Sequence, residues 1–279
     1  MNTNKCIFCL TESGDFNTIE HIVPESLGNN DDILEKAVCD KCQNYFGTEI
    51  EHYILTKTPF AFWRTLAGIK TKKGKKPHFN LSQFKKGHRR IDDYHSITDN
   101  NIIIHPADGE SIVEIEINDE DVYLKVQSGE KSNFKLALTP KMLIYIGRFL
   151  GKMALEYWYM NFGEKVFSSQ FDELRTYVRY GTVNSIYPVM LSQLNKNLLN
   201  YKAVDEFTEE RILYKYSFFE DENSGMIIFN FDIGSERYSI VMNCKFPKGE
   251  DFSEQIIFSQ LQDVKGLPQI LFYDNINKG

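Results

Sequence analysis

The sequence predicts an α+β protein in two parts: a small metal-stapled strand–loop–helix unit, followed by a larger mixed α+β domain. Three observations carry this. Cys6, Cys9, Cys39 and Cys42 fall as two C-x2-C pairs. Residues 70–90 hold nine Lys/Arg and no acid. Beyond that run, strand-like alternation gives way to helical spacing and then returns. We place the first unit at 1–69, a basic linker at 70–90 and the second domain at 91–279, a division that a chain of 279 residues accommodates.

Each C-x2-C pair delivers two sulfurs from one tight turn, and four thiolates complete a closed tetrahedral zinc site. Two disulfides are the competing use of four cysteines. The N-terminus, Met1-Asn2-Thr3-Asn4-Lys5, has no apolar signal core, and no stretch has the length of a membrane span. The expected compartment is therefore cytoplasmic, where thiols stay reduced and zinc is favoured. The fifth cysteine, Cys244, lies in the apolar run 238–244 and reads as a small core residue.

Within the first unit, residues 1–25 read as a knuckle plus a short hairpin. Residues 18–23, TIEHIV, are β-capable, and Pro24 closes them. A polar loop follows at 28–32. From Cys39 the chain reads as a helix, with Tyr45, Phe46, Ile50, Ile54 and Leu55 at mostly helical spacing until Pro59 interrupts it. Residues 60–69 read as a second short helix.

Charge is divided unevenly. Residues 1–90 carry 14 Lys/Arg against 10 Asp/Glu, out of 32 and 39 in the chain, so the rest holds 18 against 29. The basic run KTKKGKKPHFNLSQFKKGHRR suits phosphate neutralisation, and Phe79 and Phe84 interleave it as candidates for base stacking. Gly74, Pro77 and Gly87 equally suit a solvated linker. The acidic remainder is a poor main surface for nucleic acid.

Hydrolysis of a phosphodiester needs an activated water and relief for a poor leaving group, which one base and one divalent cation supply. His21 is suited to be the base, because a neutral imidazole takes a proton near pH 7. Glu20 precedes it, and its carboxylate suits magnesium, although strand alternation turns neighbouring side chains to opposite faces. The helix turn after Cys42 presents Gln43 and Asn44, whose amide oxygens complete a single-metal site. His21 also has a plainer use as a packed histidine. His52, on the helix eight residues after Asn44, is a remote candidate for the same metal.

The segments CIFC, EHIVPESLGN and VCDKCQNYFG resemble the HNH endonuclease family over about positions 5–55. The resemblance implies a ββα-metal fold, His21 as general base and Glu20 as a ligand of catalytic magnesium or manganese. Family members with this zinc arrangement usually carry His or Asn directly after the last cysteine, whereas this chain has Gln43 and then Asn44. The expectation is Asn44 as the ligand, with Gln43 in reserve. The family's middle asparagine, which orients the base, corresponds to Asn29 or Asn30.

Past residue 90, segments 102–104, 112–117, 122–126 and 134–138 read as strands of a meander. Thr139-Pro140 opens a long helix with an apolar stripe at Leu143, Ile146, Leu150, Met153 and Tyr157, and with Gly147 and Gly151 one turn apart. A second helix around 166–180 places Phe167, Phe171, Leu174 and Val178 on one side. Strands at 211–219, 225–232 and 236–245 precede a helix at 253–263.

The expected function is a metal-dependent endonuclease cutting double-stranded DNA to 5′-phosphate and 3′-hydroxyl ends, with zinc structural. The competing reading is an inactive zinc-stabilised nucleic-acid-binding adaptor. Nuclease domains joined to such modules resemble prokaryotic effectors of antiviral defence. Homo-oligomerisation, or an activating ligand or protein acting through 91–279, fits the second domain equally well.

Overall fold

The computed structural model describes residues 4–29, 31–70, 74–80, 102–106, 113–118, 120–129, 140–181, 189–193, 214–221, 225–234, 236–243 and 269–271. The N-terminal unit is a hairpin and a helical arm. Strand β1 (Ile19–His21) pairs antiparallel with β2 (Ile33–Glu35), with His21 opposite Ile33. The sequence reading had missed β2. Asn29 closes the connection: its side-chain amide donates to the carbonyls of Val23 and Asp32 and accepts from the Asp31 and Asp32 amides.

The expected helix after Cys39 is present but not uniform. Helix α1 (Asp40–Tyr45) runs into a π-helical turn (Phe46–Glu51) and then α2 (His52–Lys57). Thr58 caps α3 (Pro59–Leu66) by accepting from the Phe60 amide, with proline at the first helical position. The wider winding of the π turn changes which face each later residue presents, and His52 is exposed.

A three-stranded sheet follows, β3 (Phe79–Asn80), β4 (Ile102–Pro106) and β5 (Val113–Ile117), all antiparallel. The strand expected at 122–126 is instead helix α4 (Glu120–Gln127). Its acidic first turn, Glu120 and Asp121, and Lys125 in its last turn both suit the helix dipole, which outweighs the alternation of Val122, Leu124 and Val126. The expected strand at 134–138, the helix at 253–263 and Cys244 lie outside the described residues, as does most of the basic run.

Helix α5 (Pro140–Phe162) is the axis of the molecule. Residues 146–157 are all buried. One side meets helix α6 (Asp172–Tyr180), reached through short 3-10 turns at Gly163–Phe167 and Ser169–Phe171. Gly147 and Gly151 make that approach possible. A Cβ on Gly151 would lie 2.6 Å from Val178 and 2.9 Å from Leu174, and one on Gly147 would lie 2.5 Å from the Tyr177 hydroxyl.

A second side of α5 meets a five-stranded antiparallel sheet of order β10-β6-β9-β8-β7. Its strands are β6 (Val189–Gln193), β7 (Tyr214–Asp221), β8 (Met226–Ile233), β9 (Glu236–Val241) and β10 (Gln269–Leu271). Strand β8 alternates strictly, burying Ile227, Phe229, Phe231 and Ile233. Phe60 of α3 packs among Phe149, Phe231 and Tyr238, so the first unit shares one apolar core with the second. Gly234 turns the β8–β9 connection at φ +59°, where a Cβ would lie 2.2 Å from the Trp63 ring. Strands β6 and β10 were not foreseen. Among the described residues, no helix is long and apolar enough to cross a membrane.

Candidate metal centres and catalytic site

The four cysteines come together with their sulfurs all within 4.8 Å of one another, and none is in a disulfide. A zinc–sulfur bond of about 2.3 Å puts tetrahedral sulfurs about 3.8 Å apart; Cys9 and Cys39 Sγ are 3.6 Å apart. Local backbone shapes both turns. Leu10 takes φ 58° after the first knuckle, and its amide closes on the Cys6 carbonyl at 3.0 Å. Lys36 takes φ 57° before the second, and the Ile7 amide donates to Ala37 O across the two.

The thiols conflict with one another. A hydrogen bond with Cys42 brings the Cys6 thiol down to about 4, and the same bond is the first cause raising Cys42; burial raises Cys39. A dication held by four thiolates resolves this conflict, so the donor set fits zinc. Asp40 ties the second knuckle to the chain entering β1, accepting from the amides of Asn17 and Thr18 and from the Thr18 hydroxyl. Arg175 of α6, itself buried, donates to the Ile7 carbonyl at 3.0 Å and so fastens the first knuckle to α6.

On the hairpin, alternation separates the expected pair. Glu20 faces inward at 4 % exposure, while His21 is partly open beside it. His21 Nε2 lies 3.3 Å from Glu25 Oε1, and Glu25 opens the 3-10 turn Glu25–Leu27 that follows Pro24. An Nε2–H facing that carboxylate would leave Nδ1 as the acceptor of the ring. Nδ1 is buried and has no partner.

Of the two helix amides, Gln43 reaches the hairpin. Its Nε2 donates to the Ile19 carbonyl at 2.5 Å, and its Oε1 is buried without a partner. Asn44, one residue on, is exposed. Six buried side-chain nitrogen or oxygen atoms lack partners among the described residues, and half of them are Glu20 Oε2, His21 Nδ1 and Gln43 Oε1. Buried polar atoms are normally satisfied, so unpartnered atoms on two successive β1 residues and on the helix amide bonded to that strand stand out. A carboxylate and an amide oxygen suit a hard cation such as magnesium or manganese.

Beneath Glu20 lies a group the sequence reading missed. Lys152 of α5 is fully buried. Its Nζ is 2.7 Å from Glu20 Oε1, 3.0 Å from Glu156 Oε2 and 3.2 Å from Glu51 Oε1, the last residue of the π turn. Burial works to strip the proton from Lys152, but attraction to Glu156, Glu20 and Glu51 outweighs it and holds the ammonium well above the usual lysine range. Burial also pushes the carboxyls of Glu20 and Glu156 upward against the pull of Lys152. One signal was available: Arg148, Lys152 and Glu156 recur every four residues in an otherwise apolar buried helix.

Other expected residues fall elsewhere. Phe79 is buried against Phe62, so it is core and not a stacking platform. Asn29 is occupied in latching the β1–β2 connection, and Asn30 lies outside the described residues.

Residues 6–58 match the model of the HNH endonuclease family. The resemblance read from the cysteine pairs, the Glu-His step and the helix start holds for that segment. No curated protein and no solved structure matches the chain.

Proposed function

Proceeding from an HNH endonuclease segment at 6–58, we propose that the protein is a metal-dependent endonuclease that hydrolyses DNA phosphodiester bonds. The observation that carries this is the trio of unpartnered atoms, Glu20 Oε2, His21 Nδ1 and Gln43 Oε1.

In this reading His21 is the general base. Glu25 accepts its Nε2–H, fixing the ring and the tautomer, so Nδ1 takes the proton from the attacking water. Glu20 through Oε2 and Gln43 through Oε1 hold a magnesium or manganese ion, with Asn44 the outer alternative. When bound, the ion supplies charge stabilisation for the phosphate and for the leaving 3′ oxygen. The four cysteines hold a structural zinc that keeps β1, β2 and α1 in register. Residues 70–90 add phosphate affinity beside the chemistry of 1–69. Residues 91–279 support the site and regulate it, and action against foreign DNA in the cytoplasm belongs to the same proposal by analogy.

The second reading is an inactive adaptor, favoured by the ammonium of Lys152 standing where Glu20 would meet a cation. Plasmid cleavage separates the two. The purified chain should cut with magnesium or manganese and not with chelator, and His21→Ala should lose about 10²- to 10⁴-fold in rate while keeping its zinc. DNA that is bound yet left intact with every metal favours the adaptor.

A further inference from the structure

Lys152 lies 132 positions along the chain from Glu20, outside the family segment, yet its ammonium touches the underside of β1. A lysine has three N–H donors, and three carboxylates stand at hydrogen-bonding distance to take them. The carbonyls of His21 and Ile22 lie 3.4 and 3.5 Å away, at the outer limit of hydrogen bonding. Glu20 therefore has one oxygen fixed and the other, also buried, left over. Holding Oε1 fixes the rotation of the carboxylate, and that rotation decides where Oε2 points.

We infer that Lys152 is a positioning residue of the nuclease site: it orients Glu20 so that Oε2 faces the divalent cation, and Glu51 and Glu156 hold it there. This rests on the reading proposed above. The HNH segment is then not self-sufficient, because α5 of the second domain completes it. The π turn contributes by delivering Glu51 to the same ammonium. The rival physical picture is competition, in which the ammonium and the cation contend for one carboxylate. The two pictures predict opposite signs, since losing an orienting partner weakens metal binding and losing a competitor strengthens it.

The test is manganese binding to the zinc-loaded full chain without nucleic acid, followed by electron paramagnetic resonance of the free ion. It compares wild type with Lys152→Met and with Lys152→Met/Glu156→Gln, the second variant leaving fewer uncompensated buried carboxylates if the first does not fold. The expected result is manganese affinity weaker by about 10- to 100-fold, with one zinc per chain and the circular dichroism spectrum retained. A folded, zinc-loaded variant that binds manganese as tightly as wild type, or more tightly, overturns the inference and leaves Lys152 as a charge partner or a competitor. Wild-type protein that takes up no manganese beyond its zinc site overturns the nuclease reading itself, and this inference with it.

Discussion

The cysteine centre and the carboxylate–lysine cluster are both buried groups of ionisable side chains that involve the N-terminal unit, but they are assembled in contrasting ways. The first uses four identical ligands from two tight turns, 36 positions apart at most. The second draws Glu20 from a strand, Glu51 from a π turn, and Lys152 and Glu156 from α5, far along the chain. The difference teaches where each draws its stability. A thiolate set with no cation is self-repelling and needs a metal to persist, whereas the carboxylate set carries its own cation as an amino acid. The cysteine centre is therefore expected to respond to chelation, and the lysine cluster to mutation far from the motif.

The largest expected effect breaks the first half of this contrast. Structural zinc in small domains is worth about 10–16 kcal/mol of apparent binding free energy, comparable to the whole stability of a typical domain. Prolonged treatment with a strong chelator, or Cys42→Ser, should unfold the region around residues 6–58. Circular dichroism and zinc content should fall together, and cleavage should be lost. A chelated protein with an unchanged melting curve would show that the thiols pack without metal.

A smaller effect sharpens the contrast between ligands set by spacing and ligands set by packing. Gln43→Ala should lower metal-dependent cleavage by at least about tenfold, because Gln43 is the helix amide that reaches β1. Asn44→Ala should cleave at close to the wild-type rate. The reverse order in initial-rate measurements would return the ligand role to Asn44.

The smallest effect concerns the tie between the second knuckle and β1. Asp40 is partly exposed, and its carboxyl is held below the ordinary value by hydrogen bonds, first from the Thr18 hydroxyl. A carboxyl lowered on folding stabilises the fold at pH values above its unfolded pKa and loses that contribution as pH falls through the lowered one. Asp40→Asn should therefore melt slightly below wild type at neutral pH, and the gap should close in acid. Melting curves that stay parallel down to strongly acidic pH would assign the tie to something other than the charge.

Legibility in the sequence followed the range of the interaction. The cysteine pairs, the Glu-His step and the start of α1 at Cys39 were visible because spacing along the chain carries them. The inner stripe of α5 at Ile146, Leu150, Met153 and Tyr157 was visible for the same reason, and all four are buried. Strands β2, β6 and β10 were not, since each is five residues or fewer and is defined by the neighbour it pairs with. Residues 122–126 alternate like a strand and fold as α4, because three apolar positions cannot distinguish the two periods when the flanking charges favour a helix. The charged stripe at Arg148, Lys152 and Glu156 runs along the same helix as the apolar one, and its partners are set by packing and not by spacing.

By itself the sequence determined that four thiols would meet, that His21 would stand on a short strand beside them, and that an α+β body would follow. These are properties of spacing and periodicity, which act through the local geometry of turns, strands and helices. Only the tertiary structure decided that Glu20 turns inward onto Lys152, that Gln43 and not Asn44 reaches the hairpin, and that α5 lies under β1. Periodicity says which face a residue occupies on its own element. What waits on that face is decided by packing between segments more than a hundred residues apart, and no local pattern encodes it.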